Sequence, residues 1–117
     1  MNIKFLSFFF ATILISVSCN SQNAEQVLNP AAFSQKISNT QDAVLLDVRT
    51  PGEFAGGFIA NAVNVDYNGA DFNGEVSKLD KSKTYLVYCL SGKRSASAAA
   101  YMRSNGFKNV INLEGGI

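Results

Sequence analysis

The sequence predicts an α/β domain in which helices cover an open, mostly parallel sheet. Three observations lead there. Short apolar runs recur along the chain, from Ala43 to Val48, Ala62 to Val65, Thr84 to Tyr88 and Val110 to Leu113. Helical patterns separate them, the clearest running from Ser95 to Asn105. Val44, Leu45 and Leu46 follow one another without alternation, as a strand buried on both faces requires. Strands that alternate with helices in this way form a parallel sheet, and ligands of such folds sit beyond the carboxyl ends of strands.

Each element has a local reason. Gln26-Val27-Leu28 is a short first strand. Asn29 supplies an N-cap oxygen and Pro30 a pre-set first helical residue. Ala32, Phe33 and Ile37 then repeat at helical spacing from Ala31 to Ser38. Asn39 to Asp42 is a turn before the Ala43–Val48 strand. Thr50-Pro51-Gly52-Glu53 has the form of a capping box, so a short helix runs to about Ala55 and breaks at Gly56-Gly57. Ala62 to Val65 is the third strand. Asp71 to Leu79 is a weak helix interrupted by Gly74. Thr84 to Tyr88 is the fourth strand. Gly106 stops the Ser95–Asn105 helix in a left-handed conformation, and Val110 to Leu113 is the fifth strand. Tyr67, Tyr85 and Tyr101 belong to the core or its rim.

The 117 residues suffice for one domain, and 47% apolar against 16% charged residues excludes a disordered chain. A net charge of +1 without a Lys/Arg block gives no nucleic-acid footprint. There are two cysteines and no histidine, and the missing histidine removes imidazole metal sites, Ser-His triads and Cys-His dyads. Neither a metal nor an organic cofactor is implied.

The N-terminus reads as removable. Lys4 precedes an almost wholly apolar stretch from Phe5 to Val17. As a helix it reaches about 20 Å, short of the ~30 Å hydrocarbon core, which suits a signal sequence. Ser16-Val17-Ser18 and Cys19 follow, then the polar run Asn20-Ser21-Gln22-Asn23. This arrangement resembles a bacterial lipoprotein signal, with Ser16 where Leu is usual. The resemblance implies a leader over residues 1–18, lipidation of Cys19, a tether over 19–25 and the domain over 26–117. Asn20 after the cysteine points to the outer membrane by resemblance to sorting patterns. An ordinary secretory signal shares the same early regions. Either way the domain is exported, to the periplasm in the lipid-anchored case. Without Lys4 the chain carries nine basic and nine acidic residues, so lipid rather than charge would hold it at a membrane.

Cys89 stands directly after the fourth strand, in Cys89-Leu90-Ser91-Gly92-Lys93-Arg94-Ser95, where a helix begins. Successive amides of a tight loop can cradle an anion, Gly92 permits the backbone angles, and the helix directs its positive end there. Lys93 and Arg94 add charge. All of this favours a nucleophilic thiolate at Cys89. The alternative is a small apolar cysteine buried at a strand end.

Asp47-Val48-Arg49-Thr50-Pro51-Gly52-Glu53-Phe54 resembles the first signature of the rhodanese family. Gly57 to Val65 is similar to its second signature, Cys89 to Ser95 to its active loop, and Leu113 to Ile117 to its last motif. The resemblance implies a five-stranded, doubly wound sheet with helices on both faces, and sulfur transfer by a catalytic cysteine. In that chemistry Cys89 takes a sulfane sulfur from thiosulfate or a persulfide and passes it to cyanide or a thiol. Residues Leu90 to Ser95 would cradle the persulfide, with Lys93 and Arg94 attracting the anionic donor.

Six residues from Cys89 to Arg94 match the sulfurtransferase loop. Related phosphatases and arsenate reductases use one residue more, enough for a tetrahedral oxyanion. A non-catalytic sulfur-carrier module of the envelope and a Cys-dependent phosphatase or arsenate reductase are the alternatives. Asp47 and Arg49 are expected to hold neighbouring loops by hydrogen bonds, and Glu53 to cap its helix. Two positions depart from the family pattern, Phe58 where His is usual and Ala60 where Pro is. The chain also stops at Ile117, where the family continues into a further helix, so either the sequence is a fragment or one sheet face lacks its cover.

Overall fold

The computed structural model describes residues 26–117, so the expected leader, Cys19 and the whole tether over 19–25 lie outside the described residues. In chain order the elements are β1 (Val27–Leu28), α1 (Pro30–Asn39), β2 (Val44–Asp47), α2 (Pro51–Ala55), β3 (Val63–Asn64), α3 (Phe72–Ser77), β4 (Thr84–Tyr88), α4 (Lys93–Ser104) and β5 (Asn109–Leu113). The strands form one sheet in the order β1-β5-β4-β2-β3, and every pairing is parallel. The family's five-stranded α/β architecture is therefore present, and wholly rather than mostly parallel.

Alternation along the central strands divides the core in two. Leu46, Tyr85, Val87, Cys89 and Val110 meet Phe72 and Val76 of α3 and Ala98, Ala99 and Met102 of α4. Leu45, Leu86, Tyr88, Ile111 and Leu113 meet Phe33 of α1, with Ile37, Ile59 and Ala62 packed around them. Fully burying a Leu-sized side chain contributes about 1.5–3 kcal/mol, so these two layers supply most of the drive to fold. The second layer shows that, of the two alternatives, a bare sheet face does not arise at these strands. Leu45, Leu86, Ile111 and Leu113 are all buried, because α1 and the Ile59–Ala62 segment cover them.

The caps form as their residues dictate. Asn29 Oδ1 accepts from the Ala32 amide at 2.9 Å, and Pro30 opens α1. Thr50 Oγ1 accepts from the Glu53 amide at 3.2 Å while Glu53 Oε1 accepts from the Thr50 amide at 3.2 Å, completing the capping box. Two helices differ from the sequence reading. Gly74 does not interrupt α3. Its missing Cβ leaves room for the Asp71 carboxylate, which folds over the first turn. Helix α4 begins at Lys93, two residues earlier than expected, because Gly92 at φ 93° turns the chain directly into it. Gly106, also at φ 93°, follows α4 as expected.

The Asn29 cap is worth testing by Asn29→Ala. The loss should be about 1 kcal/mol. A thermal melt should then fall by about 4–8 °C, and an unchanged melt would remove the cap from the account of α1.

Candidate active site

Cys89 directly follows β4, on the α4 side of the sheet, and is fully buried. Its Sγ accepts from the Gly92 amide at 3.0 Å and from the Ser95 hydroxyl at 3.3 Å. Burial of the sulfur pushes its pKa up. The Ser95 hydroxyl and the amides of Ser95, Gly92 and Ser91 outweigh burial and hold it below the ordinary thiol value. Cys89 is the free cysteine among the described residues.

The loop owes its shape to two glycines. Gly92 lies in the left-handed region, and a Cβ there would meet the Gly115 amide nitrogen at 3.1 Å. Gly116, at φ 68°, packs against the carbonyls of Leu90 and Cys89 so closely that any Cβ would overlap them. The Ile117 amide donates to the Cys89 carbonyl at 3.0 Å. The motif after β5 thus forms one wall of the loop, and a side chain at Gly116 could not fit without moving its backbone.

The remaining loop residues divide by direction. Leu90, Ser91 and Lys93 are exposed at the rim. Ser95 is buried against the sulfur. Lys93, Arg94 and Ser95 form the first turn of α4 rather than free loop. Arg94 does not point at an empty cradle. Its NH1 and NH2 donate to both carboxylate oxygens of Glu53 at 2.7 and 2.9 Å, binding α4 to α2. Glu53 therefore caps α2 and anchors the active loop together.

Asp47 and Arg49 pair with each other and not with Cys89. Arg49 Nε reaches both Asp47 oxygens at 3.1 Å and NH2 reaches Oδ2 at 2.7 Å. The same NH2 donates to the Gly57 carbonyl at 2.7 Å, and the guanidinium lies 5.7 Å from the Tyr88 ring centroid. The Tyr88 hydroxyl accepts from the Ile59 amide at 3.1 Å. Burial pushes its pKa up to about 12, so it stays neutral. This assembly supports the opposite face of the strand end. Phe58 is exposed and stacks on Phe54 with centroids 4.1 Å apart, an apolar surface where the family's histidine would stand.

Sequence reasoning missed several contributors. Asn64 Nδ2 bridges the carbonyls of Asp47 and Arg49 at 3.0 and 2.9 Å. Asn112 Nδ2 reaches the Gly92 carbonyl at 3.4 Å. The signal for both was a lone amide inside an apolar strand, Val63-Asn64-Val65 and Ile111-Asn112-Leu113. Among the described residues, no group of His, Cys, Asp and Glu is placed to hold a metal ion.

A parallel α/β domain that buries a hydrogen-bonded cysteine at a strand-to-helix loop defines the class. The family model for the rhodanese-like domain matches residues 29–117, and the chain belongs to that family. A sulfurtransferase of Allochromatium vinosum is 36% identical over 90 residues, covering 77% of this chain and 82% of that protein. A tRNA uridine(34) hydroxylase of Pelagibacter ubique is 37% identical over 105 residues, which are 88% of this chain but 35% of that longer protein. The crystal structure of a rhodanese-related protein from Thermoplasma volcanium superposes with a TM-score of 0.67 at 32% identity, covering 78% of this chain and 85% of that one.

The Glu53–Arg94 pair makes a pH prediction. The Arg94 hydrogen bonds hold the Glu53 carboxyl down to about 2 from an ordinary 4.5, with Thr50 assisting. A depressed carboxyl stabilises the fold above its unfolded value and loses that contribution as pH falls through the folded one. Between pH 4.5 and about 2 the wild type should therefore lose more thermal stability than Glu53→Gln. Parallel acid-melting curves would show that the pair contributes nothing.

Proposed function

We propose that the protein is a sulfurtransferase that carries a sulfane sulfur as a persulfide on Cys89. The observation that carries this reading is the buried Sγ held by the Gly92 amide and the Ser95 hydroxyl inside a six-residue loop. The Allochromatium relative's name supports the same chemistry. The Cys89 thiolate attacks the outer sulfur of thiosulfate, forming a new S–S bond as sulfite leaves with the electron pair. The terminal sulfur anion then sits among the inward amides from Leu90 to Ser95. A thiolate or cyanide acceptor attacks that sulfur, and Cys89 departs as thiolate. The products are a new persulfide or thiocyanate. A persulfide donor enters by the same displacement, with its thiolate leaving. Exposed Lys93 attracts the anionic donor, and Arg94, paired with Glu53, shapes the loop.

The six-residue loop and the engagement of Arg94 by Glu53 both weigh against a phosphatase or arsenate reductase. An oxyanion site needs a guanidinium fork turned into the loop. Mass spectrometry of the reduced protein after thiosulfate treatment decides the matter. Cys89 should gain one sulfur atom, lose it to cyanide, and gain none as Cys89→Ser. No gain under anaerobic conditions would end the reading. A stable persulfide that no acceptor discharges would leave a carrier module in its place.

We also propose that the domain is exported and anchored through an acylated Cys19 at the periplasmic face of the outer membrane, the reading that the leader and Asn20 support. After signal processing, Cys19→Ala should shift the protein from the membrane fraction to the soluble one. Equal membrane partition of the two would overturn the anchor.

A further inference from the structure

Asn112 lies in β5, paired in register with Val87 of β4 and buried on the α4 side. It is a polar residue among Val110, Ile111 and Leu113, and hydrophobic packing alone gives no reason for it. Its Nδ2 reaches the Gly92 carbonyl at 3.4 Å, while its Oδ1 is one of two buried side-chain polar atoms without a hydrogen-bond partner among the described residues. The orphan oxygen is informative. Turning the amide over would set Oδ1 against the Gly92 oxygen, two acceptors face to face. The amide is therefore held with its donor toward Gly92, and the oxygen goes unpaired as a consequence.

The Gly92 carbonyl is a crowded acceptor. The Ala96 amide approaches it at 3.1 Å, Asn112 Nδ2 at 3.4 Å and the Ser95 hydroxyl at 3.2 Å. A carbonyl oxygen has two lone pairs, and a serine hydroxyl has one proton. Ser95 has a second acceptor within reach, the Cys89 sulfur at 3.3 Å. If Ala96 and Asn112 occupy both lone pairs of Gly92, the Ser95 proton is left for the sulfur.

We propose that Asn112 is a positioning residue, which occupies the Gly92 carbonyl so that the Ser95 hydroxyl donates to the Cys89 thiolate. The inference deepens the reading of Cys89 as the nucleophile and rests on it. Asn112 itself touches neither sulfur nor substrate. Its influence passes through a competition for one proton. The charged groups around the sulfur are Lys93 and Arg94 in the first turn of α4, Glu53 of α2 on Arg94, and Asp66 after β3, which also acts on Arg94. The β5 strand brings no charge, and Glu114 beyond it is exposed. A change at Asn112 therefore leaves the ionic surroundings intact.

The test is the rate of Cys89 alkylation by iodoacetamide against pH, in the full chain. Asn112→Leu keeps the branched outline of the side chain and removes the orphan oxygen with the donor. It should move the midpoint of the profile upward, slowing alkylation about three- to tenfold near pH 6. Ser95→Ala should slow it at least as much. The double variant should match Ser95→Ala alone, because Asn112 has nothing to free once the hydroxyl is gone. An unshifted profile in Asn112→Leu would overturn the proposal, as would shifts that add in the double variant. Asn112→Val, which suits a strand, reads the same quantity if the leucine variant fails to fold. Alkylation needs no sulfur donor, so a failure of sulfur transfer with these shifts intact would count against the sulfurtransferase reading alone.

Discussion

A sulfur buried at the end of a strand can serve as an anion only where the surrounding hydrogen bonds outweigh the loss of water. That constraint governs the loop after β4. Cys89 is fully covered, and burial by itself favours the neutral thiol. The Gly92 amide and the Ser95 hydroxyl reverse the balance, but only from the positions that the loop gives them. Gly92 must turn left-handed to aim its amide inward, which also starts α4 at Lys93. Gly116 must lack a side chain for the chain beyond β5 to close against the same loop. Backbone rather than side chain thus sets most of the site, and substitutions there act by displacement.

Strand geometry lets one segment serve two purposes. The strand alternation carries on past the end of β4, so Cys89 enters the α4 layer while Tyr88 enters the α1 layer. On the Tyr88 side, Arg49 bonds Asp47 and Gly57, and the Tyr88 hydroxyl holds Ile59. Asn64 ties β3 to the carbonyls of Asp47 and Arg49. Buried ion pairs often add little net stability, because desolvation offsets their attraction. This one places a further donor on the Gly57 carbonyl, and it fixes the α2–β3 connection beside the strand end that leads to Cys89. Its contribution is to shape.

The fold was legible where periodicity and caps agreed. Asn29-Pro30, the Thr50–Glu53 box and the Thr84–Tyr88 run each carry a local cause that the packed structure keeps. The start of α4 was misplaced because Gly92 reads as a loop residue until its φ is known. Gly74 was misread because propensity ignores the Asp71 carboxylate that fills the space a Cβ would take. In the site, Cys89 and its loop were legible from strand, glycine and helix order. The partnership of Arg94 with Glu53 was not, since 41 residues separate them in sequence. Asn112 was hidden for a different reason. An amide in an apolar strand is visible, but what it bonds depends on the parallel register of β4 and β5.

The first turn of α4 breaks a local rule. Lys93 and Arg94 place two cations where the helix end is already positive, and no acidic residue stands in that turn to balance them. In an isolated helix the arrangement would be unfavourable. Two anions from elsewhere make it acceptable. Glu53 takes up Arg94 from α2, and the Cys89 sulfur lies within electrostatic reach of the same guanidinium. The turn is therefore better satisfied with a thiolate, or a sulfur anion beyond it, than with a neutral thiol. A histidine would add little to such a site. An imidazole activates a nucleophile by removing its proton, whereas under the proposed function amides, a hydroxyl and a helix end would stabilise the sulfur once its proton is lost. The conflict between α4's charges and its own dipole is eased by Glu53, and the proposed anion on Cys89 would ease it further.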